Sequence, residues 1–262
     1  KVTFVTCDTI SQRIQWSYQI KACGLIYYSL PHAILQRKEW VIMEKFKVTD
    51  ITKEWDGRTL RRIQAVRDFG FVHAGDLGGW IQNDFNLDQN GNCWIYGDAI
   101  VCDHALVRDH AHVSQDAIVK DHAEVCGYAQ VLDYAIVCDG ALLRDDTQVY
   151  NHALICGNAI MEGNSSAWDN AVIGGLVIIR GDAHISQDGF ITSQSDVYWS
   201  GPFGLFNDTL TAHRCRDGRV YIFSNTDGWY FDEYKQYINS IESSNKKLYK
   251  AILDFVKVYF RL

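Results

Sequence analysis

Two Asp-His pairs, Asp103-His104 and Asp121-His122, stand eighteen residues apart. An imidazole can act as a general base near neutral pH, and imidazoles with carboxylates can hold a cation. Asp103, His104, Asp121 and His122 are thus the candidates for either chemistry. Both uses require groups from separate pairs to meet in space, so the elements carrying them decide what they can do.

Those elements follow a period of six. From Cys93 nearly every sixth residue is small: Ala99, Ala105, Ala111, Ala117, Ala123, Ala129, Ala135 and Ala141 run without a break, and the beat continues to Gly189. Two residues after each stands an aliphatic side chain, from Ile95, Val101, Val107 and Val113 through to Ile185 and Ile191, and the register holds over 17 hexads. A helix cannot use such a period, because six residues drift around a 3.6-residue turn and keep no constant face. In a strand, residues two apart share a face, so small-x-aliphatic sends two side chains inward and one outward. Asp, Gly or Asn followed by His, Asn, Asp or Tyr completes each hexad with residues suited to a corner.

The pattern aliphatic-x-[Gly/Asp/Asn]-x-small-x resembles the hexapeptide repeat of left-handed parallel β-helices. That resemblance covers residues 93–192 and implies three hexads per triangular coil of eighteen residues, hence about six coils. Stacked at about 4.8 Å, they would form a prism on the order of 27 Å long. The expected fold is therefore all-β: a left-handed parallel β-helix between a small N-terminal β cap and a C-terminal cap of β-hairpin plus helices. The N-terminal cap, 43–92, holds a hairpin about WDGR and then GDLGGWI. The C-terminal cap, 193–262, holds a hairpin about Asp217-Gly218 and helical spacing in FDEYKQYINSI and KKLYKAILDFVKVYF. Caps are expected because an open β-helix would expose edge strands.

With eighteen residues to a coil, each outward column can be read. One face is aliphatic: Ile100, Ile118, Ile136, Leu154, Val172 and Phe190. An exposed apolar patch of that extent marks an interface, so the face is assigned either to a homo-oligomer, a trimer by preference, or to docking of the C-terminal helices. A second face mixes Arg108, Glu124, Arg144, Glu162 and Arg180 with Leu106, Leu142, Ile160 and Ile178. The third offers Trp94, Tyr96, His112, Tyr150, Trp168 and His184 among amides and hydroxyls, the face best suited to a partner. Asp103, Asp121 and Asp139 share a corner column, with His104 and His122 beside them. Their mutual repulsion is expected to need protonated histidines or a cation, which predicts pH sensitivity in the histidine range.

Composition narrows the classes. With 25 Lys+Arg against 32 Asp+Glu the net charge is −7, and no basic cluster suggests nucleic acid. No apolar run reaches the roughly 18 residues of a membrane span, so a cytoplasmic protein of a bacterial host is expected, with no membrane partner. Eight cysteines without a C-x-x-C pair read as free thiols, stacked Cys138 and Cys156 included. Residues 1–42 lack the period. Lys38-Glu39 can be encoded as a ribosome-binding sequence upstream of Met43, so that segment is expected to be an upstream extension of the reading frame or a poorly patterned N-terminal piece.

Three functions stay open. GDLGGWI, the hexads and GPFGLFND with FDEY together resemble β-helix proteins carried by phages and prophages, which implies a non-enzymatic oligomeric scaffold or binding protein without cofactor. The fold also resembles hexapeptide acyltransferases. In those a histidine near a subunit interface deprotonates the group that attacks an acyl thioester, which would give His104 or His122 that role and acetyl-CoA or another acyl-CoA as cosubstrate. Against this, the hexads carry no loop excursion to wall a pocket. A likeness to γ-type carbonic anhydrases would imply zinc, but His104, His110 and His112 lack their spacing. The third reading is a protein that sequesters or mimics a host component.

Overall fold

The computed structural model describes residues 44–203, 208–241 and 245–262; the segment 1–42 lies outside them. Seventeen two-residue strands, from Trp94–Ile95 to Phe190–Ile191, follow the hexads. They pair in parallel at an interval of eighteen residues, as in Ile100 with Ile118 and Ile118 with Ile136, and so build three walls. Main-chain bonds join coil to coil: Ile100 N–H donates to Ala117 O at 2.9 Å and Cys102 N–H to Val119 O at 3.0 Å. Ala99, Val101, Ala105 and Val107 are fully buried, and their equivalents fill one continuous core along the prism.

The corners explain why Asp recurs. Asp103, Asp109, Asp121, Asp133, Asp139, Asp145 and Asp169 adopt φ of 56–61°, a left-handed conformation that usually disfavours a side chain. Their carboxylates offset that cost by serving the next coil: Asp133 accepts from Asn151 N–H at 3.0 Å, Asp139 from Gly157 N–H at 2.8 Å and Asp145 from Gly163 N–H at 3.0 Å. Each acid thus supports the backbone eighteen residues on.

Two antiparallel strands, β1 (Phe46–Trp55) and β2 (Arg58–Ala65), form the predicted hairpin about Asp56-Gly57. A third, β3 (Leu77–Ile81), pairs antiparallel with β2 and parallel with Ile100–Val101, so the hairpin continues the first wall. The parallel ladder therefore begins ahead of Cys93. Trp80 pairs with Ile100 at twenty residues rather than eighteen, because the first coil carries two extra residues. Lys45 anchors this cap: its buried ammonium donates to Cys93 O at 2.9 Å and Asn90 O at 3.2 Å, and burial lowers its pKa.

The other end is larger than one hairpin. Strands Val197–Phe203, Asp208–Arg214, Val220–Ser224 and Asp227–Tyr230 make an antiparallel sheet, followed by α1 (Phe231–Ser240) and α2 (Lys246–Phe260). Tyr234 and Ile238 of α1 and Leu253, Val256 and Phe260 of α2 bury against Leu210, Ala212, Val220 and Ile222. The buried side of α2 thus packs on its own sheet, while Leu248, Phe255 and Val258 stay exposed. The expectation that these helices cover the aliphatic face of the prism is corrected accordingly. Among the described residues no helix is long and apolar enough to cross a membrane.

Candidate functional site

The Asp-His corner forms as a ladder of rings. Phe85 stacks on His104 at 6.2 Å between centroids, His104 lies 4.9 Å from His122, and both histidines are exposed. The carboxylates beside them are served by other groups. Arg58 grips Asp103 with two bonds, Nε to Oδ1 at 2.8 Å and Nη2 to Oδ2 at 3.0 Å, and this holds the Asp103 carboxyl below its ordinary range. Asp121 accepts Asp139 N–H at 3.2 Å, with Lys120 Nζ at 3.7 Å. Repulsion down the column is thus relieved by Arg58, Lys120 and backbone N–H groups, where protonated histidines or a cation were expected. Among the described residues no hydrogen bond joins His104 or His122 to a carboxylate, so neither imidazole has the orienting partner that a general base normally uses.

Nor do the histidines join the cluster with ligand spacing. Asp121, Cys138 and Asp139 bring one donor atom each within 4.8 Å of one another. Burial, and then the Asp139 charge, pushes the Cys138 thiol up to about 11. A cation there would have to displace the thiol proton, so its affinity would rise with pH.

The aliphatic face is divided by the N-terminal cap. Ile100 and Cys102 are buried with Leu60 and Trp80, and Trp55 and Ile118 pack on that cluster, so Ile100 is withdrawn from any intermolecular contact. Beyond it Ile118, Ile136, Leu154 and Val172 are half-buried, flanked by the half-buried free thiols Cys138 and Cys156. Phe190 closes the ladder, exposed, with the Arg216 guanidinium 5.2 Å from its ring centre.

The aromatic face loses its ends to the caps. Trp94 is 1% exposed beneath Phe46 and Phe69, which removes it from the set open to a partner. Trp168 and His184 meet Phe223 of the C-terminal sheet edge-on at 5.3 and 5.1 Å. Tyr150 stacks on Trp168 at 5.6 Å, and Tyr96 meets His112 at 5.4 Å. Burial lowers the pKa of both His112 and His184.

Two hollows escaped the sequence reading. One, of about 560 Å³, lies along another corner and is lined by Asp133, Tyr134, His152, Asp169, Asn170 and Asp188 among others. Tyr134 stacks on His152 at 5.1 Å, and Asn170 donates to Asp188 at 3.3 Å. Its acids and amides suit a polar ligand; read singly, these residues look like corner filling. The second, of about 330 Å³, is apolar and sits at the base of the prism. Neither reaches His104 or His122.

No family model matches the chain. A segment of 56 residues is 43% identical to the uncharacterized acetyltransferase YdcK of Escherichia coli (strain K12). That likeness covers 21% of this chain and 17% of the relative, so the chain spans about a sixth of the curated protein it matches.

Proposed function

We propose that the chain is a β-helical scaffold and binding protein that assembles with copies of itself, as a trimer, through the aliphatic ladder Ile118, Ile136, Leu154 and Val172. The observation that carries this is the half-exposed ladder itself: the N-terminal cap stops at Ile118 and α2 packs on its own sheet. Flat aliphatic surface of this kind gains by leaving water, at about 25 cal/mol per Å². An accessory role in a phage or prophage belongs to the same proposal, on the sequence resemblance alone.

The test is solution mass by light scattering for the full chain and for the double variant Ile136→Lys, Leu154→Lys. The expected result is an oligomer that becomes a folded monomer, since both positions are half-exposed and a lysine stem lies along the wall. A monomeric wild-type chain would reject the proposal.

The likeness to an uncharacterized acetyltransferase supports a second reading, an acyl-CoA-dependent acyltransferase. Here His104 or His122 would take the proton from an acceptor hydroxyl or amine as it attacks the thioester carbonyl, and the coenzyme A thiolate would leave. Self-association on the adjacent aliphatic face would supply the wall that one chain lacks. The measurement is release of free thiol from acetyl-CoA with a panel of amine and alcohol acceptors. This reading expects turnover that falls at least about a hundredfold in His104→Ala or His122→Ala; no thiol release would leave the scaffold reading alone.

A further inference from the structure

The second wall ends at the strand Ile178–Ile179, where the C-terminal cap replaces the next coil. Its last main-chain donor shows the substitution: Ile178 N–H donates to the side-chain Oε1 of Gln194 at 3.0 Å instead of to a coil carbonyl. Below that edge lies the hollow of about 330 Å³ walled by Ile178, Val197, Tyr198, Trp199 and Tyr259, with Arg180 and Gln194 beside them. The wall is well fixed. The Tyr259 hydroxyl lies 3.1 Å from Gln194 O and 3.0 Å from Val197 O, which ties α2 to the cap strand, and its ring packs 5.5 Å from Tyr198.

Arg180 is the unusual member of its column. Arg108 pairs with Glu124, and Arg144 with Glu162 eighteen residues on. The residue eighteen beyond Arg180 is Tyr198, in the cap. Glu162, eighteen residues before Arg180 on the neighbouring strand, is taken by Arg144, so Arg180 forms no ion pair among the described residues, and no carboxylate lines the hollow. Trp199 lines the same hollow; its Nε1 would lie 3.8 Å from a Cβ on Gly181, and no hydrogen bond among the described residues uses its N–H. An apolar hollow of small-ligand size with two free donors, one cationic, has the composition of a site for an apolar anion.

We propose that this hollow binds a small monocarboxylate with an aromatic or branched aliphatic body, held at its carboxylate by Arg180 and by the Trp199 N–H. The apolar body takes the place of water against Ile178, Tyr198 and Tyr259. The carboxylate supplies the charge that Glu124 and Glu162 supply to the arginines above. This site is independent of the assembly face, and its test does not depend on the oligomeric state.

The experiment titrates the full chain with phenylacetate, following the indole N–H resonance of Trp199 and tryptophan fluorescence, with phenylacetamide as the uncharged isostere. Saturable binding of phenylacetate is expected, with the amide and the variant Arg180→Met each at least about tenfold weaker. Arg180 is exposed and Met keeps its apolar stem, so the variant retains the fold, which circular dichroism checks. Trp199→Phe should remove the shifted resonance and weaken binding. Equal binding of acid and amide, or no saturation at millimolar phenylacetate, would overturn the proposal. Binding of an apolar tripeptide through its C-terminus without binding of phenylacetate would overturn the assignment to a small molecule.

Discussion

Lowering the pH from 7 to 4 is expected to cost the folded chain about 3 kcal/mol through His213 alone. His213 is fully buried in the strand Asp208–Arg214, where the C-terminal sheet closes the last coil. Its Nε2 accepts Ser186 N–H at 3.4 Å, its Nδ1 lies 3.4 Å from Arg214 O, and the Tyr221 ring is 5.6 Å away. Burial pushes this imidazole down to about 4 from an ordinary 6.5, against a smaller opposing pull from the Arg214 carbonyl. The sign follows from proton counting. Between pH 6.5 and 4 the unfolded chain binds a proton that the folded chain refuses, so stability falls as the pH falls through that window. Below about 4 both states are protonated and the loss levels off. His112 and His184, also lowered by burial, add in the same direction. Urea unfolding at pH 7, 5.5 and 4 measures the slope, and His213→Gln should flatten it. An unchanged slope in that variant would place the pH dependence elsewhere. The pH sensitivity is thus expected to arise in the cap, away from the Asp103 column whose repulsion Arg58 relieves.

Gly79→Ala is expected to destabilise the chain by about 3 kcal/mol, the upper range for forced overpacking. A Cβ there would stand 2.4 Å from Ile95 Cγ2 and 2.6 Å from Ala99 O. The side chain could rotate away, but the carbonyl cannot: it accepts Trp80 N–H at 2.9 Å and holds β3 on the first complete coil. Relief would require β3 to move off, carrying Trp80 from its cluster with Leu60 and Ile100. The melting temperature should fall by about 6–12 °C. Gly57→Asn is the control, because Gly57 has φ +73° with nothing within 4 Å of a Cβ, and Asn tolerates that conformation. Equal losses in both variants would mean that backbone freedom, not close approach, is what Gly79 supplies.

Much of the prism was legible because its physics is local. Alanine can fill a tight corner, valine two residues on fills the wall, and Asp103 or Asp121 can turn the chain while serving the coil below. The three ladders needed only the period. What Asp does with its carboxylate was not legible: the spacing presents like charges in a column, whereas in the structure Asp121, Asp139 and Asp145 each cap an N–H eighteen residues away.

The sites were legible only in part. His104 and His122 do stack, yet nothing near them in sequence foretold that Arg58 would take Asp103 or that Phe85 would cover the first ring. Trp94 read as a partner-facing aromatic because its column points outward; Phe46 and Phe69 bury it from far along the chain. The hollow under Ile178 joins the last coil to residues of the cap strand and of α2.

The sequence by itself determined the wall, the corner and the number of coils, since each depends on side-chain size and backbone preference repeated at a fixed interval. Only the tertiary structure decided which outward residues meet solvent, because the caps carry no period. Their placement rests on contacts such as Lys45 to Cys93 and Trp168 to Phe223, whose partners are far apart in the chain and free to pair only once the prism exists.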